Sequence, residues 1–173
     1  FFILFTNLGD GIIALVFCVL AIVFYRKKIY ALSLFYAFII SGLIAQVLKR
    51  MVDAPRPKLY FANGEFTQFI EGIKIATQHS FPSGHTTTAF MLASFFYLVL
   101  PKKMKIHSLV IGIAFLVGFS RVYLMQHFLM DVWAGALLGI FSSLISYFIV
   151  LKVFSKKEHQ NSIFQKLKGK PSI

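Results

Sequence analysis

Charge is what this sequence has least of. Only 14% of its 173 residues are Asp, Glu, Lys or Arg, against about 25% in a soluble domain. Hydrophobic residues make up 58%, and mean hydropathy is +0.76. The solvent for such a chain is lipid, and the fold class expected is all-α, a polytopic transmembrane helix bundle. Acids are scarcer than bases: six Asp and Glu against 18 Lys and Arg give a net charge of +12. On a soluble surface that excess would suggest nucleic acid. Here the cations cluster between apolar runs, which fits membrane topology and anionic headgroups, so the expected partners are membrane lipids and no nucleic acid. Cysteine is limited to Cys18 inside an apolar run, which excludes an internal disulfide or a cysteine metal site. Neither a cleavable signal peptide nor an internal repeat is visible.

Five stretches are long and apolar enough for spans, at about 17–25 residues each. They cover roughly 8–25, 30–48, 84–100, 106–124 and 128–151. Asp10 is expected to cap the first as a helix. Arg26, Lys27 and Lys28 follow the first span, Lys102, Lys103 and Lys105 the third, and Lys152 with the lysines of a basic tail, 154–173, the fifth. All three clusters fall on one side, which the positive-inside rule makes cytoplasmic. Residues 1–153 read as a single transmembrane domain, with the tail cytoplasmic. Because the chain starts at Phe1, a sixth helix is expected before it. Segment 49–83 is too long for a simple connection. Within it Phe66, Phe69, Ile70 and Ile73 recur at helical spacing, which predicts a short interfacial helix.

The ionisable residues inside this apolar frame are costly unless they have a function or partners. Lys49 ends the second span and, taken alone, is a snorkelling anchor. Arg56 is held between Pro55 and Pro57, and a rigid guanidinium suits bidentate capture of an oxyanion. Phe81-Pro82-Ser83-Gly84-His85 opens the third span as a helix start, so its first amides and the helix dipole form a phosphate seat. Gly84 lets a ligand come close, and His85 is within reach of it. Arg121 precedes His127 and Asp131, which are four apart and share a helix face, so the carboxylate can hold one imidazole nitrogen. Each residue has a bland reading as an anchor, cap or interfacial histidine. Together, crowding these cations and imidazoles on one membrane face is hard to sustain without a bound phosphate. His79 and His107 lack such company and read as structural.

Lys49-x(6)-Arg56-Pro57, then Pro82-Ser83-Gly84-His85, then Ser120-Arg121-x(5)-His127-x(3)-Asp131 resembles the three-part signature of the type 2 phosphatidic acid phosphatase superfamily, in its membrane lipid phosphatase branch. No signature position departs. The resemblance implies catalytic roles for His127 as nucleophile, His85 as general acid and base, and Asp131 as the orienting carboxylate. It assigns phosphate binding to Lys49, Arg56, Ser83, Gly84 and Arg121. It implies a hydrolase that forms a phosphohistidine on a phosphorylated lipid, and because the cations already supply the charge no metal or cofactor is expected. The positive-inside sidedness sets the expected site at the extracytoplasmic face, and the compact 49–83 loop suggests an enzyme of a bacterial cytoplasmic membrane. Undecaprenyl pyrophosphate, phosphatidylglycerophosphate, phosphatidic acid and a lipid A phosphate all fit. The alternative is a non-enzymatic lipid-phosphate binder or transporter on the same scaffold.

Overall fold

A computed structural model describes residues 1–24, 28–62, 76–101 and 105–168, with side chains through 154. Its helices are α1 (Phe2–Asn7), α2 (Gly11–Phe24), α3 (Lys28–Val52), α4 (Pro57–Tyr60), α5 (Gly84–Val99), α6 (Ile106–Tyr123) and α7 (Leu129–Lys168). There is no strand among the described residues. The fold is the all-α membrane bundle the composition demands. Among the described residues, three stretches are long and apolar enough to cross a membrane: Lys28–Tyr60, Ile106–Tyr123 and Leu129–Phe154. The other two expected spans, α2 and α5, have 14 and 16 residues. At 1.5 Å per residue these extend roughly 21 and 24 Å, less than the ~30 Å hydrocarbon core.

The first expected span is broken at 8–10, where Asp10 starts α2 by accepting a hydrogen bond from the Ile12 amide at 2.8 Å. The last one continues without a break as a helix to Lys168, so the backbone does not change where the tail was expected to begin. The interfacial helix expected around 66–73 lies outside the described residues.

α5 is the central post, packed against α7, α6, α3 and α2. The α5–α7 contact is close because α7 presents glycines one turn apart. A Cβ at Gly135 would meet the Ser83 carbonyl oxygen at 2.6 Å, and one at Gly139 would overlap the Thr87 carbonyl oxygen. Small residues fill the other seams too, among them Ala14, Ala37 and Ala114, while Ser146 donates to the Ser33 carbonyl at 2.7 Å. In lipid, helices gain little from burying apolar surface, so close backbone approach and interhelical hydrogen bonds hold them. Many bulky residues point outward, with Phe115, Phe119, Trp133, Phe141 and Phe148 all exposed, while Phe95, Leu34 and Met91 are buried. Because α5 and α6 are joined at the end remote from Gly84, the start of α5, the end of α6 and the start of α7 meet at one end of the bundle.

Candidate active site

That end holds all the residues of the three-part signature, while His107 lies in the first turn of α6 at the other end. His127 sits in the turn between α6 and α7. The helix stops because Met125 adopts a left-handed conformation, φ 53°, and the amides of Gln126 and His127 turn back to the Arg121 carbonyl at 3.0 and 3.2 Å. This is the usual way for a helix C-terminus to satisfy its orphan carbonyls, here with Met where glycine is commoner. The turn delivers His127 into the bundle, 2% exposed, with Nδ1 3.4 Å from Asp131 Oδ2. Asp131 is also buried, and the same oxygen accepts from the Phe128 amide at 2.9 Å. A carboxylate behind Nδ1 favours the tautomer whose Nε2 carries the lone pair. Burial pushes the His127 imidazole down to about 4, with Arg56, Arg121 and Lys49 acting in the same direction and the Asp131 hydrogen bond opposing them. The ring is therefore neutral at pH 7.

Sequence reasoning missed a third member of this pair. Ser80 is fully buried, donates its hydroxyl to Asp131 Oδ2 at 2.5 Å and lies 3.4 Å from His127 Nδ1. It holds the same carboxylate oxygen that faces His127. A serine just ahead of Phe81-Pro82 carries no distinguishing signal, so only the packing reveals it.

The cations come from three elements. Arg121, in the last turn of α6, is 5% exposed and donates from Nη1 to Thr6 Oγ1 of α1 at 2.7 Å. Its Nε is buried with no partner. An unsatisfied buried donor on a guanidinium is a place for an oxyanion. Arg56 donates from Nε to the Gln78 carbonyl at 3.0 Å and from Nη1 to the Gln126 carbonyl at 3.3 Å, which sets it beside His127. Lys49 donates to the His79 carbonyl at 2.8 Å. A clip holds both: the Arg56 amide bonds the Thr77 carbonyl at 2.8 Å, and the Ser80 amide bonds the Ala54 carbonyl at 2.9 Å. His79 Nδ1 is 3.1 Å from Asp53 Oδ1, and both residues are left-handed, at φ 56° and 41°. Such conformations cost on the order of 1 kcal/mol each and persist where neighbours over-determine them. His79 is thus structural, as expected, and what it shapes is the strand of chain that carries Arg56.

The helix start behaves as the sequence suggests, with one shift. Ser83 is the N-cap of α5 and is fully buried, its hydroxyl 2.9 Å from Thr86 Oγ1. Its amide donates to the Asp131 carbonyl at 2.9 Å. Ser83 therefore ties α5 to α7 instead of offering its amide to a ligand. The amides of Gly84 and His85 remain as the free donors of the first turn among the described residues, and beside Gly84 a Cβ would meet nothing within 4 Å. His85 follows on the same turn, with Arg121, Asp10, Arg56 and Lys49 around it. The constellation joins a neutral, oriented imidazole, a second imidazole, three cations and two free helix amides. It suits a tetrahedral oxyanion attacked at its centre.

Known proteins resemble this chain in sequence and in fold. The PAP2 superfamily model matches residues 30–155. Phosphatidylglycerophosphatase B of Bacillus subtilis is 34% identical over 142 residues, which cover 78% of this chain and 62% of that protein. A lipid A 1-phosphatase of Rhizobium johnstonii is 34% identical over 113 residues, 65% of this chain and 45% of the relative. The chain thus spans about half the length of these curated relatives. Among solved structures, the crystal structure of Aquifex aeolicus LpxE superposes with a TM-score of 0.67 at 31% identity, covering 84% of this chain and 82% of the other. A family match over most of the chain, carried on a shared helical fold, makes this protein a member of the PAP2 superfamily.

Proposed function

We propose that this membrane protein is a lipid phosphatase, cleaving a phosphomonoester or pyrophosphate from a lipid headgroup through a phosphohistidine on His127. The observation that carries the reading is the buried His127, neutral and backed by Asp131 and Ser80, facing a ring of cations. In the first step His127 Nε2 forms a bond to phosphorus as the bond from phosphorus to the leaving oxygen breaks. The bound phosphate anion, set among the cations, favours a protonated His85, which gives its proton to that oxygen. Asp131 stabilises the imidazolium that forms. Arg121 through its unpartnered Nε, Arg56, Lys49 and the amides of Gly84 and His85 hold the phosphoryl oxygens as charge shifts. His85, now neutral, takes a proton from water, which attacks phosphorus and frees His127 and inorganic phosphate. Ser83 acts by capping α5 and tying it to Asp131. The three cations supply the charge that a metal supplies elsewhere, so the proposed mechanism is metal-independent.

The site end is opposite the Lys28 end of α3 and the link that carries Lys105, and the positive-inside rule supports catalysis on the extracytoplasmic face. A headgroup outside a bacterial cytoplasmic membrane fits that side. Relatives named as phosphatidylglycerophosphatase and lipid A phosphatase support the lipid class. The test is a phosphate-release panel over undecaprenyl pyrophosphate, phosphatidylglycerophosphate, phosphatidic acid and a lipid A phosphate, with chelator present. Release from at least one, lost in His127→Ala together with any acid-labile phosphoenzyme, is expected. Activity that vanishes in chelator and returns with magnesium, or survives in His127→Ala, refutes the mechanism.

A further inference from the structure

Between the start of α2, α3 and α5 lies a cavity of about 270 Å³. Lys49, Gly84 and His85 form its upper wall. Below them α3 contributes Phe38, Gly42 and Gln46, each four residues from the next, with Ala45 beside Gln46, hence one helix face. From Phe38 to Lys49 that face is roughly 16 Å long at 1.5 Å per residue. Gly42 lines the cavity, and a Cβ there would meet nothing within 4 Å, so no side chain narrows it at that level. Gly42 and Gln46 are exposed, which leaves the cavity open sideways to the membrane.

We propose that this cavity seats the leaving oxygen and the adjoining carbons of the lipid, and that Gly42 is the residue that admits the hydrocarbon part. The inference rests on the phosphatase reading above and adds where the lipid lies. In an in-line displacement the leaving oxygen is on the far side of phosphorus from the attacking nitrogen. The group that protonates it must be within hydrogen-bond reach. With His127 as nucleophile and His85 as acid, whatever is bonded to that oxygen extends on the His85 side, and His85 opens into this cavity. A larger apolar groove of about 380 Å³, lined by Phe90, Tyr97, Ile111 and Phe115 among others, touches none of the proposed catalytic side chains. Gly42 stands roughly 10 Å below Lys49 along the helix. A short alkyl group ends above it and a long one passes it.

The experiment compares butyl phosphate with hexadecyl phosphate in detergent, using the wild type, Gly42→Phe and Gly112→Phe. Gly112 is a helical glycine with equally open surroundings on α6, outside the cavity. The wild type should favour the long chain in kcat/KM. Gly42→Phe should lower kcat/KM for hexadecyl phosphate about tenfold or more, leave butyl phosphate within about twofold, and Gly112→Phe should change neither. A wild type without chain-length preference, a Gly42→Phe variant that keeps the preference, or equal loss on both substrates overturns the inference. A wild type that cleaves neither of these nor any lipid of the panel overturns the phosphatase reading instead.

Discussion

Replacing Gly135 by Ala should damage catalysis although residue 135 touches no substrate. The new methyl carbon would lie 2.6 Å from the Ser83 carbonyl oxygen and 3.2 Å from Thr87 Oγ1. A relaxed carbon–oxygen contact is about 3.3–3.6 Å, so α5 and α7 must part by roughly 0.7–1 Å at this level. The oxygen belongs to the backbone and cannot rotate away. Ser83 begins α5 and its amide is bonded to the Asp131 carbonyl, so the displacement enters the relation between Gly84 and His85 on one helix and His127 and Asp131 on the other. A misplacement of about 1 Å among catalytic groups can cost on the order of 10²-fold in rate, or roughly 2.7 kcal/mol of transition-state stabilisation. Overpacking costs about 1–3 kcal/mol of stability, and the better helix propensity of Ala returns about 1 kcal/mol. The loss of activity should therefore exceed the loss of stability. Phosphate-release kcat/KM and Tm, measured in one detergent beside Gly112→Ala as a helical control, test this. Wild-type kcat/KM in Gly135→Ala would refute the reasoning, because it would mean the helices do not approach as closely as described.

Further substitutions probe the polar groups behind the nucleophile. Asp131→Asn removes the charge that stabilises the imidazolium, and a fall in kcat of about 10²–10⁴-fold is expected with Tm nearly kept; an unchanged kcat would make the carboxylate purely structural. Ser80→Ala leaves Asp131 with one donor fewer at Oδ2 and should lower kcat by about tenfold with KM little changed, while Ser80→Thr restores part of it. A loss confined to KM would contradict a role behind His127. The neutral burial of His127 also has a pH signature. An unfolded histidine gains its proton near pH 6.5, the native one only near 4, so stability is full above 6.5 and drains as pH falls between the two. At pH 4.5 this amounts to about 2–3 kcal/mol. Thermal melts of wild type and His127→Gln at pH 7 and 4.5 should show a shallower acid slope in the variant, and equal slopes would contradict it.

The legible part of this protein is the part governed by short-range geometry. Apolar run lengths locate the helices, with α5 and α6 beginning within a residue of where hydropathy starts them, because a backbone in lipid has no alternative to the helix. Likewise, the four-residue spacing of His127 and Asp131 dictates their pairing wherever α7 happens to sit. Pro82 and Ser83 announce the start of α5 by chain chemistry alone. Yet the Ser83 amide is bonded to Asp131, 48 positions along the chain, which leaves the amides of Gly84 and His85 for the proposed phosphate seat. Ser80 reaches Asp131, Thr6 reaches Arg121 and Arg56 reaches Gln126 only after the helices are packed. Such contacts depend on how each helix is rotated and how near its neighbour lies, and no local pattern encodes either. Here the separation of α5 and α7 is set by Gly135 and Gly139 meeting the carbonyls of Ser83 and Thr87. The sequence by itself determined the membrane helices and the candidate site residues; the packing of α5 on α7 decided which of them share a partner.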